Sequence, residues 1–285
     1  MSEAKSPGIA LVTGSSSGIG AAFAKALAAR GYGLIVVARR RERLETLAES
    51  LRRERGIAVE VLVADLSDAA ELRRVERRVA EEERLTMLVN NAGLGGIKPF
   101  LDTDHDYLRA MIAVNVTALT LLTYAALPGM LRRSNPSKPT PGLLGTLRGG
   151  TVINVASGLG FVRLPGTAVY GATKAFVTQF TRTLHEEYGG HGIRFQALLP
   201  GLTRTELGSG QNNVSFDHLP PDKINTPEQA AEESLAGLEM GELVCIPGLE
   251  NLEEWARADH ATQEVMQTVS SGIPAERYRR FLPKP

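Results

Sequence analysis

The chain has 285 residues and 43% hydrophobic side chains, enough for a large core and unlike a disordered composition. Lysine plus arginine total 32, as do aspartate plus glutamate, so the zero net charge gives no sign of a nucleic-acid partner. The single cysteine, Cys245, excludes an internal disulfide. Residues 1–8 are polar and lack a secretory hydrophobic segment, so we expect a cytoplasmic protein.

Short apolar runs alternate with longer segments of helical pattern along the chain. Runs rich in branched residues predict strands at 9–14, 34–38, 58–65, 87–90, 151–157, 193–201 and 242–248. These runs lack polar alternation, which is typical of parallel strands that are buried on both faces. The sequence therefore predicts an α/β fold, a Rossmann-type doubly wound parallel sheet of about seven strands with helices on both faces.

We predict one domain over residues 1–285. Residues 132–150 hold three prolines and four glycines, which indicates a surface loop insertion, with a domain linker as the alternative. Residues 206–222 are polar and weakly patterned, as a mobile substrate lid would be, and 250–285 are predicted to be a helical C-terminal extension. The apolar run 111–127 contains an asparagine and three threonines, so we expect a buried helix and no membrane span.

A glycine-rich turn, VTGSSSGIG, follows the first predicted strand and opens the first predicted helix. Glycines in such a turn allow a tight bend, a close approach of the backbone to a diphosphate, and close packing of helix on strand. The helix N-terminus adds N–H donors and the positive end of a dipole. The pattern predicts dinucleotide binding, with a flexible loop as the alternative, by Gly14, Ser15, Ser16, Ser17, Gly18, Ile19 and Gly20.

Arginines after the second predicted strand indicate which dinucleotide binds. Proteins that bind NAD place an acidic residue there, whereas this chain has VVARRRERLE, with no acid before Glu42. A guanidinium binds a 2′-phosphate through paired hydrogen bonds. We therefore predict NADP(H), with Arg39 as the main phosphate ligand and Arg40 and Ser15 in support. The alternative is that these arginines begin a solvated helix.

Six motifs occur in a fixed order: TGSSSGIG (13–20), NNAG (90–93), Asn115, Ser157, YGATK (170–174) and PGLTRT (200–205). With this set the chain resembles the short-chain dehydrogenase/reductase family, in its single-domain branch that prefers NADP(H). The resemblance covers about residues 8–206. Two features depart from the family pattern, namely the length of the 132–150 loop and the residues that follow ELVCIPG.

The resemblance implies further cofactor contacts. The turn of Asn91, Ala92 and Gly93 would lie against the adenosine side, and Asp65 with Leu66 would contact the adenine. The ribose of the nicotinamide would be bound by Lys174, beside Tyr170. The nicotinamide carboxamide would be held by the segment that contains Pro200, Gly201, Thr203 and Thr205.

A carbonyl that accepts hydride needs a proton donor at its oxygen, and the tyrosine of YGATK is the candidate. Lys174 lies four residues after Tyr170 on one helix face, so we expect its ammonium to lower the pKa of the phenol. The family implies that Ser157 positions the substrate oxygen and that Asn115 holds a water in a proton relay. The alternatives are structural: a helix cap for Ser157, a core amide for Asn115 and a surface ring for Tyr170.

These residues predict an NADP(H)-dependent oxidoreductase that acts on a ketone and its secondary alcohol. Two alternatives remain open: a cofactor-binding sensor or scaffold without turnover, and an enzyme that recycles the cofactor within the reaction, as an epimerase does. The five histidines lack metal-ligand spacing, so no metal site is predicted.

The predicted substrate pocket is mostly apolar, which favours a hydrophobic carbonyl compound over a sugar. The family also implies a homodimer or homotetramer, with the apolar helix near 107–127 and the helix of Tyr170 at the subunit interface. The pocket residues are Leu94, Gly95, Leu159, Phe161, Val162, Leu202 and Leu207.

Overall fold

The computed structural model describes residues 7–134, 149–209, 220, 223–269 and 275–281. The chain divides into two compact units, Met1–Pro247 and Gly248–Pro285. Most of the predicted loop at 132–150 and most of the predicted lid at 206–222 lie outside the described residues. In the second unit the described residues form two helices, α9 (Leu252–Thr268) and α10 (Glu276–Arg279).

The predicted parallel sheet is confirmed in the first unit. Its strand order is β3-β2-β1-β4-β5-β6-β7, and every pairing is parallel. The order reverses between β1 and β4, which opens a crevice at the carboxyl ends of these strands. The strands are β1 (Ile9–Thr13), β2 (Gly33–Ala38), β3 (Val59–Val63), β4 (Leu85–Asn90), β5 (Gly150–Val155), β6 (Ile193–Leu198) and β7 (Val244–Cys245).

Helices cover both faces of the sheet and bury two apolar cores. One core packs α1, α2 and α8 against the sheet, and the other packs α3, α5 and α6. The helices of this unit are α1 (Gly18–Ala29), α2 (Arg41–Arg55), α3 (Ala69–Glu81), α4 (His105–Ile112), α5 (Leu119–Arg133), α6 (Ala168–Tyr188), α7 (Glu206–Ser209) and α8 (Pro227–Met240).

A π-helical turn, Ala113–Ala118, joins α4 to α5 into one long helix. Such wide turns are rare and are often found at functional sites, and this one contains the buried Asn115. By length and composition alone, His105–Arg133 is long and apolar enough to cross a membrane, although half of its most apolar stretch is buried inside the protein. It packs against α3, β4 and β5, as the core helix of a globular fold does.

Close packing explains the last glycine of the glycine-rich turn. A Cβ atom at Gly20 would lie 2.4 Å from Asn91 Nδ2 and 2.4 Å from the carbonyl oxygen of Gly14. No side chain fits at that distance, so α1 would have to move away from both turns.

Gly20→Ala should therefore lower the free energy of unfolding by about 1–3 kcal/mol. Gly190→Ala is the matched control, because a Cβ there meets nothing within 4 Å. Urea denaturation of both variants measures the difference. Equal stability of the two variants would contradict the packing argument.

Candidate active site

A cleft of about 320 Å³ opens at the carboxyl ends of the central strands. It contains most of the residues that were predicted to bind the cofactor, brought together from segments across the first unit. The predicted residues that line it are Gly14, Ser16, Ser17, Gly18, Ile19, Arg39, Arg40, Asp65, Leu66, Asn91, Ala92, Gly93, Tyr170, Lys174, Pro200 and Thr205.

The glycine-rich turn is fastened to the turn that follows β4. The Thr13 hydroxyl accepts hydrogen bonds from the backbone N–H of Asn91 at 3.0 Å and of Ala92 at 2.9 Å. The Asn91 side chain donates to the Thr13 carbonyl oxygen at 2.9 Å. These contacts hold both walls of the cleft at a fixed separation before any ligand binds.

Four of the predicted cofactor residues, Ser15, Gly20, Gly201 and Thr203, are not part of the cleft lining. Ser15 is fully buried, and its hydroxyl donates to the Val12 carbonyl oxygen at 2.5 Å and accepts from Val37 N–H at 3.3 Å. The prediction that Ser15 contacts the 2′-phosphate is therefore wrong, because the serine points beneath the turn to join β1 to β2.

Arg40 is held in the cleft by Ser16 and Ser17, two half-buried serines of the glycine-rich turn. Its guanidinium donates to Ser16 Oγ at 2.8 Å and to Ser17 Oγ at 2.7 Å. A third donor, Nη1, contacts the Glu206 carboxylate at 2.5 Å, and the other oxygen of that carboxylate accepts from Arg43. The hydrogen bonds from the two guanidinium groups lower the pKa of Glu206 to about 2, so the carboxylate is charged at neutral pH.

Sequence reasoning missed Arg43 and Glu206. Arg43 lies in the first turn of α2, three residues after Arg40, so helical periodicity could have found it. Glu206 is 166 residues from Arg40, and only the tertiary structure brings the two together.

Asp65 lies beside Arg39, with 3.7 Å between the carboxylate and the guanidinium. Its carboxylate accepts hydrogen bonds from the N–H and the hydroxyl of Ser67, at 2.9 and 2.6 Å. Burial acts to raise the pKa of Asp65, but the Ser67 hydrogen bonds and the Arg39 charge outweigh it and lower the pKa. Arg39 is well exposed, as a residue that binds an incoming anion should be.

Tyr170 lines the cleft, and Ser157 is its neighbour although it is not part of the lining. The Ser157 hydroxyl accepts a hydrogen bond from Leu159 N–H at 3.2 Å and caps the short turn Gly158–Gly160. Ser157 therefore has the capping role that the sequence analysis gave as its structural alternative. It is also hydrogen-bonded to the Tyr170 side chain. The serine therefore combines both roles, since the cap fixes its position beside the phenol.

Lys174 is buried beneath Tyr170. Its ammonium donates to the Val155 carbonyl oxygen at 2.8 Å and lies 5.8 Å from the centre of the tyrosine ring. Burial lowers the pKa of Lys174 to about 8.

The prediction that Lys174 lowers the pKa of Tyr170 is wrong for this structure. Burial raises the pKa of Tyr170, and the opposing influence is the hydrogen bond from Ser157. The reason is geometric, because the ammonium is bound to the Val155 carbonyl oxygen at the end of β5. Desolvation therefore dominates the titration of the phenol.

Asn115 braces the site from the π-helical turn. Its side-chain oxygen accepts from Leu94 N–H at 2.8 Å, and its amide donates to the Leu94 carbonyl oxygen at 2.8 Å and to Thr173 Oγ1 at 3.0 Å. Both amide hydrogens are thus used within the described residues. These bonds position Leu94 and α6, and the predicted role of Asn115 in holding a relay water stays a prediction.

Three of the seven predicted substrate-pocket residues lie at the cleft or against Tyr170. Leu94 and Leu207 line the cleft, and a Cβ at Gly95 would be 2.8 Å from the Tyr170 ring. The other four do not line the cleft: Leu159 is half-buried, and Phe161, Val162 and Leu202 are about half exposed.

A second, smaller cavity on the other side of Tyr170 was not predicted from the sequence. Its lining includes Phe100, Tyr107, Met111 and Gly166. The Tyr107 hydroxyl donates to the Gly95 carbonyl oxygen at 2.7 Å and so fixes the wall between the two cavities.

Comparison with known proteins identifies the family. The profile of the short chain dehydrogenase family matches residues 8–214. The chain therefore belongs to the short-chain dehydrogenase/reductase family of oxidoreductases, and the resemblance drawn from the motifs is confirmed.

Solved structures in this family share the fold over nearly the whole chain. A short-chain dehydrogenase from Sphingobium yanoikuyae in complex with NADPH is 37% identical, with a TM-score of 0.86 over 95% of this chain and 100% of that chain. The bulky-bulky ketone specific alcohol dehydrogenase from Comamonas testosteroni is 33% identical, with a TM-score of 0.83 over 95% of this chain and 98% of that chain.

Curated relatives differ in the compounds for which they are named. Sulfoacetaldehyde reductase 2 from Chromohalobacter salexigens is 35% identical over 79% of this chain and 84% of the relative. The very-long-chain 3-oxoacyl-CoA reductase from Anas platyrhynchos is 34% identical over 75% of this chain. The match spans only 65% of the Anas reductase and 57% of the hydroxysteroid dehydrogenase-like protein 1 from Gallus gallus.

We expect the side chain of Lys174 to titrate with a pKa of about 8, because burial favours the neutral amine. As the pH rises through that value the ammonium loses its proton, so the group is charged at pH 7. NMR of protein carrying ¹³C-labelled lysine measures this titration. Lys174→Met should remove the signal, and the exposed-site control Lys25→Arg should keep it. A Lys174 titration near the ordinary lysine value of about 10.4 would contradict the desolvation argument.

Proposed function

We propose that the protein is an NADP(H)-dependent oxidoreductase that interconverts a ketone and a secondary alcohol. One observation supports this most strongly. Tyr170 is hydrogen-bonded to Ser157, lies above the buried Lys174 and lines the cleft that also contains the glycine-rich turn and the arginines. This arrangement supports Tyr170 as a proton donor beside the proposed cofactor cleft, as hydride transfer to a carbonyl requires.

The residues present fit NADP(H). Gly14 and Gly18 have positive φ angles of 69° and 55°, a backbone that favours glycine and leaves room for a diphosphate. Arg40 and Arg43 already hold an anion, the Glu206 carboxylate, and Arg39 is exposed beside them. The NADPH complex of the Sphingobium relative supports the same cofactor for this chain.

By the family pattern, the glycine-rich turn would hold the diphosphate, and Arg39 with Arg40 would hold the 2′-phosphate. Asp65 and Leu66 would contact the adenine, Lys174 the nicotinamide ribose, and Thr205 the carboxamide. When bound, the cofactor supplies or accepts the hydride.

The chain's own residues supply the proton. The raised pKa of Tyr170 keeps its phenol protonated at neutral pH, so the phenol can donate a proton to an oxygen that gains negative charge. The Ser157 hydroxyl donates a second hydrogen bond to that oxygen and orients it. In the reverse direction the alcohol proton passes to Tyr170 in its phenolate form.

A chain of hydrogen bonds keeps Tyr170 in place for this proton transfer. Asn115 donates to the Thr173 hydroxyl, which in turn donates to the Tyr170 carbonyl oxygen at 2.8 Å. Preorganised geometry of this kind lowers the cost of reaching the transition state. One relative, the human hydroxysteroid dehydrogenase-like protein 1, is described as inactive, so the proposal depends on this site and not on the fold alone.

The substrate is proposed to be a hydrophobic ketone. Leu94 and Leu207 line the cleft, and the predicted pocket residues Phe161 and Val162 expose apolar area, by 49% and 57%. The preference of the Comamonas relative for bulky-bulky ketones supports this class. NADPH oxidation measured with ketones of graded size and polarity, with NADH in parallel, would rank the substrates.

Self-association is proposed on the face of the long helix and α6. Ile112 and Tyr124 of the long helix and Phe176 of α6 expose apolar area, by 46%, 76% and 37%. Light scattering coupled to size exclusion tests for a dimer or tetramer.

Tyr170→Phe should lower kcat by at least about 100-fold, because the variant keeps the ring but lacks the transferable proton. NADPH binding, followed by cofactor fluorescence, should stay within about twofold, since only the hydroxyl is removed. Tyr188→Phe makes the same chemical change at the far end of α6 and serves as the control. Turnover by Tyr170→Phe at the rate of the control would refute the mechanism.

A further inference from the structure

Three charged side chains form a cluster at the adenosine end of the cleft. Arg40 contacts one oxygen of the Glu206 carboxylate and Arg43 contacts the other. We call Arg40, Arg43 and Glu206 the arginine–glutamate cluster. Its members come from the region that follows β2 and from the segment that follows β6, so the cluster joins two sides of the cleft.

The geometry of the cluster resembles that of an anion site. One carboxylate receives hydrogen bonds from two guanidinium groups, and Ser16 and Ser17 orient Arg40 toward it. Guanidinium groups bind carboxylates and phosphates through the same paired donors. The two arginines are therefore arranged to hold an anion, and Glu206 is the anion that this chain itself provides.

The segment that carries Glu206 lies over the phosphate-binding turn. Thr205, Glu206 and Leu207 all line the cleft. A Cβ at Gly18 would be 3.2 Å from the Thr205 methyl group, so Thr205 rests directly on the turn. A ligand that enters the cleft must therefore share its space with this segment.

We propose that Glu206 is an internal substitute for the 2′-phosphate of NADP(H), that this phosphate displaces it, and that Arg43 then joins Arg39 and Arg40 as a phosphate ligand. This inference rests on the cofactor named in the proposed function. Displacement of Glu206 releases the adjoining Thr205–Leu207 segment from the glycine-rich turn. NADH has no phosphate to compete with the carboxylate, so its binding depends less on Glu206 than NADPH binding does.

The cluster is exposed enough to exchange partners. The side chains of Arg40, Arg43 and Glu206 are 41%, 50% and 48% exposed. Exposed ion pairs contribute little free energy and are screened by salt, so a phosphate with its higher charge can replace the carboxylate. A buried pair would resist this exchange.

The experiment measures the Kd of NADPH and of NADH by cofactor fluorescence, without substrate and at one ionic strength. Glu206→Gln should tighten NADPH binding by about two- to fivefold, because the phosphate no longer competes with a carboxylate. Glu42→Gln is the control. Glu42 lies in the first turn of α2 and does not contact Arg40 or Arg43, so its replacement should change the Kd of NADPH less than Glu206→Gln does.

Arg43→Gln should weaken NADPH binding by at least about fivefold and change NADH binding little, because a charge-assisted phosphate contact is lost. Arg41→Gln is its control, since Arg41 pairs with Glu45 on the same helix. In a chain that already carries Arg43→Gln, Glu206→Gln should tighten NADPH binding by a smaller factor. That result would show that the two side chains act together.

Two results would overturn the inference while the proposed cofactor stands. In the first, the natural chain binds NADPH tightly, and Glu206→Gln lowers the Kd of NADPH no more than Glu42→Gln does. The other is weaker NADPH binding by Glu206→Gln, which would make Glu206 a cofactor ligand. Failure of the natural chain to bind NADPH at all, with NADH bound, would overturn both the inference and the proposed cofactor.

Discussion

The burial of the Lys174 ammonium against the end of β5 is the interaction on which the site depends. An ammonium removed from water costs several kcal/mol unless it is paired, and here the Val155 carbonyl oxygen is its hydrogen-bond acceptor. The cost appears as the lowered pKa of the lysine. The large parallel sheet with its two apolar cores offsets this cost and keeps the charge beneath Tyr170.

A buried polar network holds the helices in the positions that this arrangement needs. Asn90 on β4 donates to Thr123 on α5 and to Asn154 on β5, and Asn154 donates to Thr181 on α6. Because these polar groups are buried, a shift of a strand or helix along its axis would leave them without hydrogen-bond partners, at a high cost in free energy. The network thus sets the position of α6, and Asn115 with Thr173 completes the alignment at its N-terminal end.

The two ends of the cleft are joined through one short segment. Thr205 belongs to the part of the chain proposed to hold the nicotinamide carboxamide, and the next residue, Glu206, neutralises arginines at the adenosine end. The proposed carboxamide contact and the proposed phosphate site are therefore adjacent along the chain. Affinity for the phosphate is then set by competition with Glu206 as well as by the attraction of the arginines.

Much of the fold and of the site could be predicted from the sequence. Buried parallel strands and the helices between them have distinct periodicities, and a glycine-rich turn has a local steric cause, so both appear in short stretches of sequence. The ordered motifs also identified Tyr170, Lys174, Ser157 and Asn115, which the structure brings together at one end of the cleft.

The tertiary structure alone decided which way these side chains face and what surrounds them. Ser15 and Ser16 are neighbours in a serine run, yet one is buried beneath the turn and the other binds Arg40. The pKa of Tyr170 follows from its burial, which no local spacing encodes. Glu206 meets its arginines only because the parallel sheet places the carboxyl ends of distant strands at the same edge.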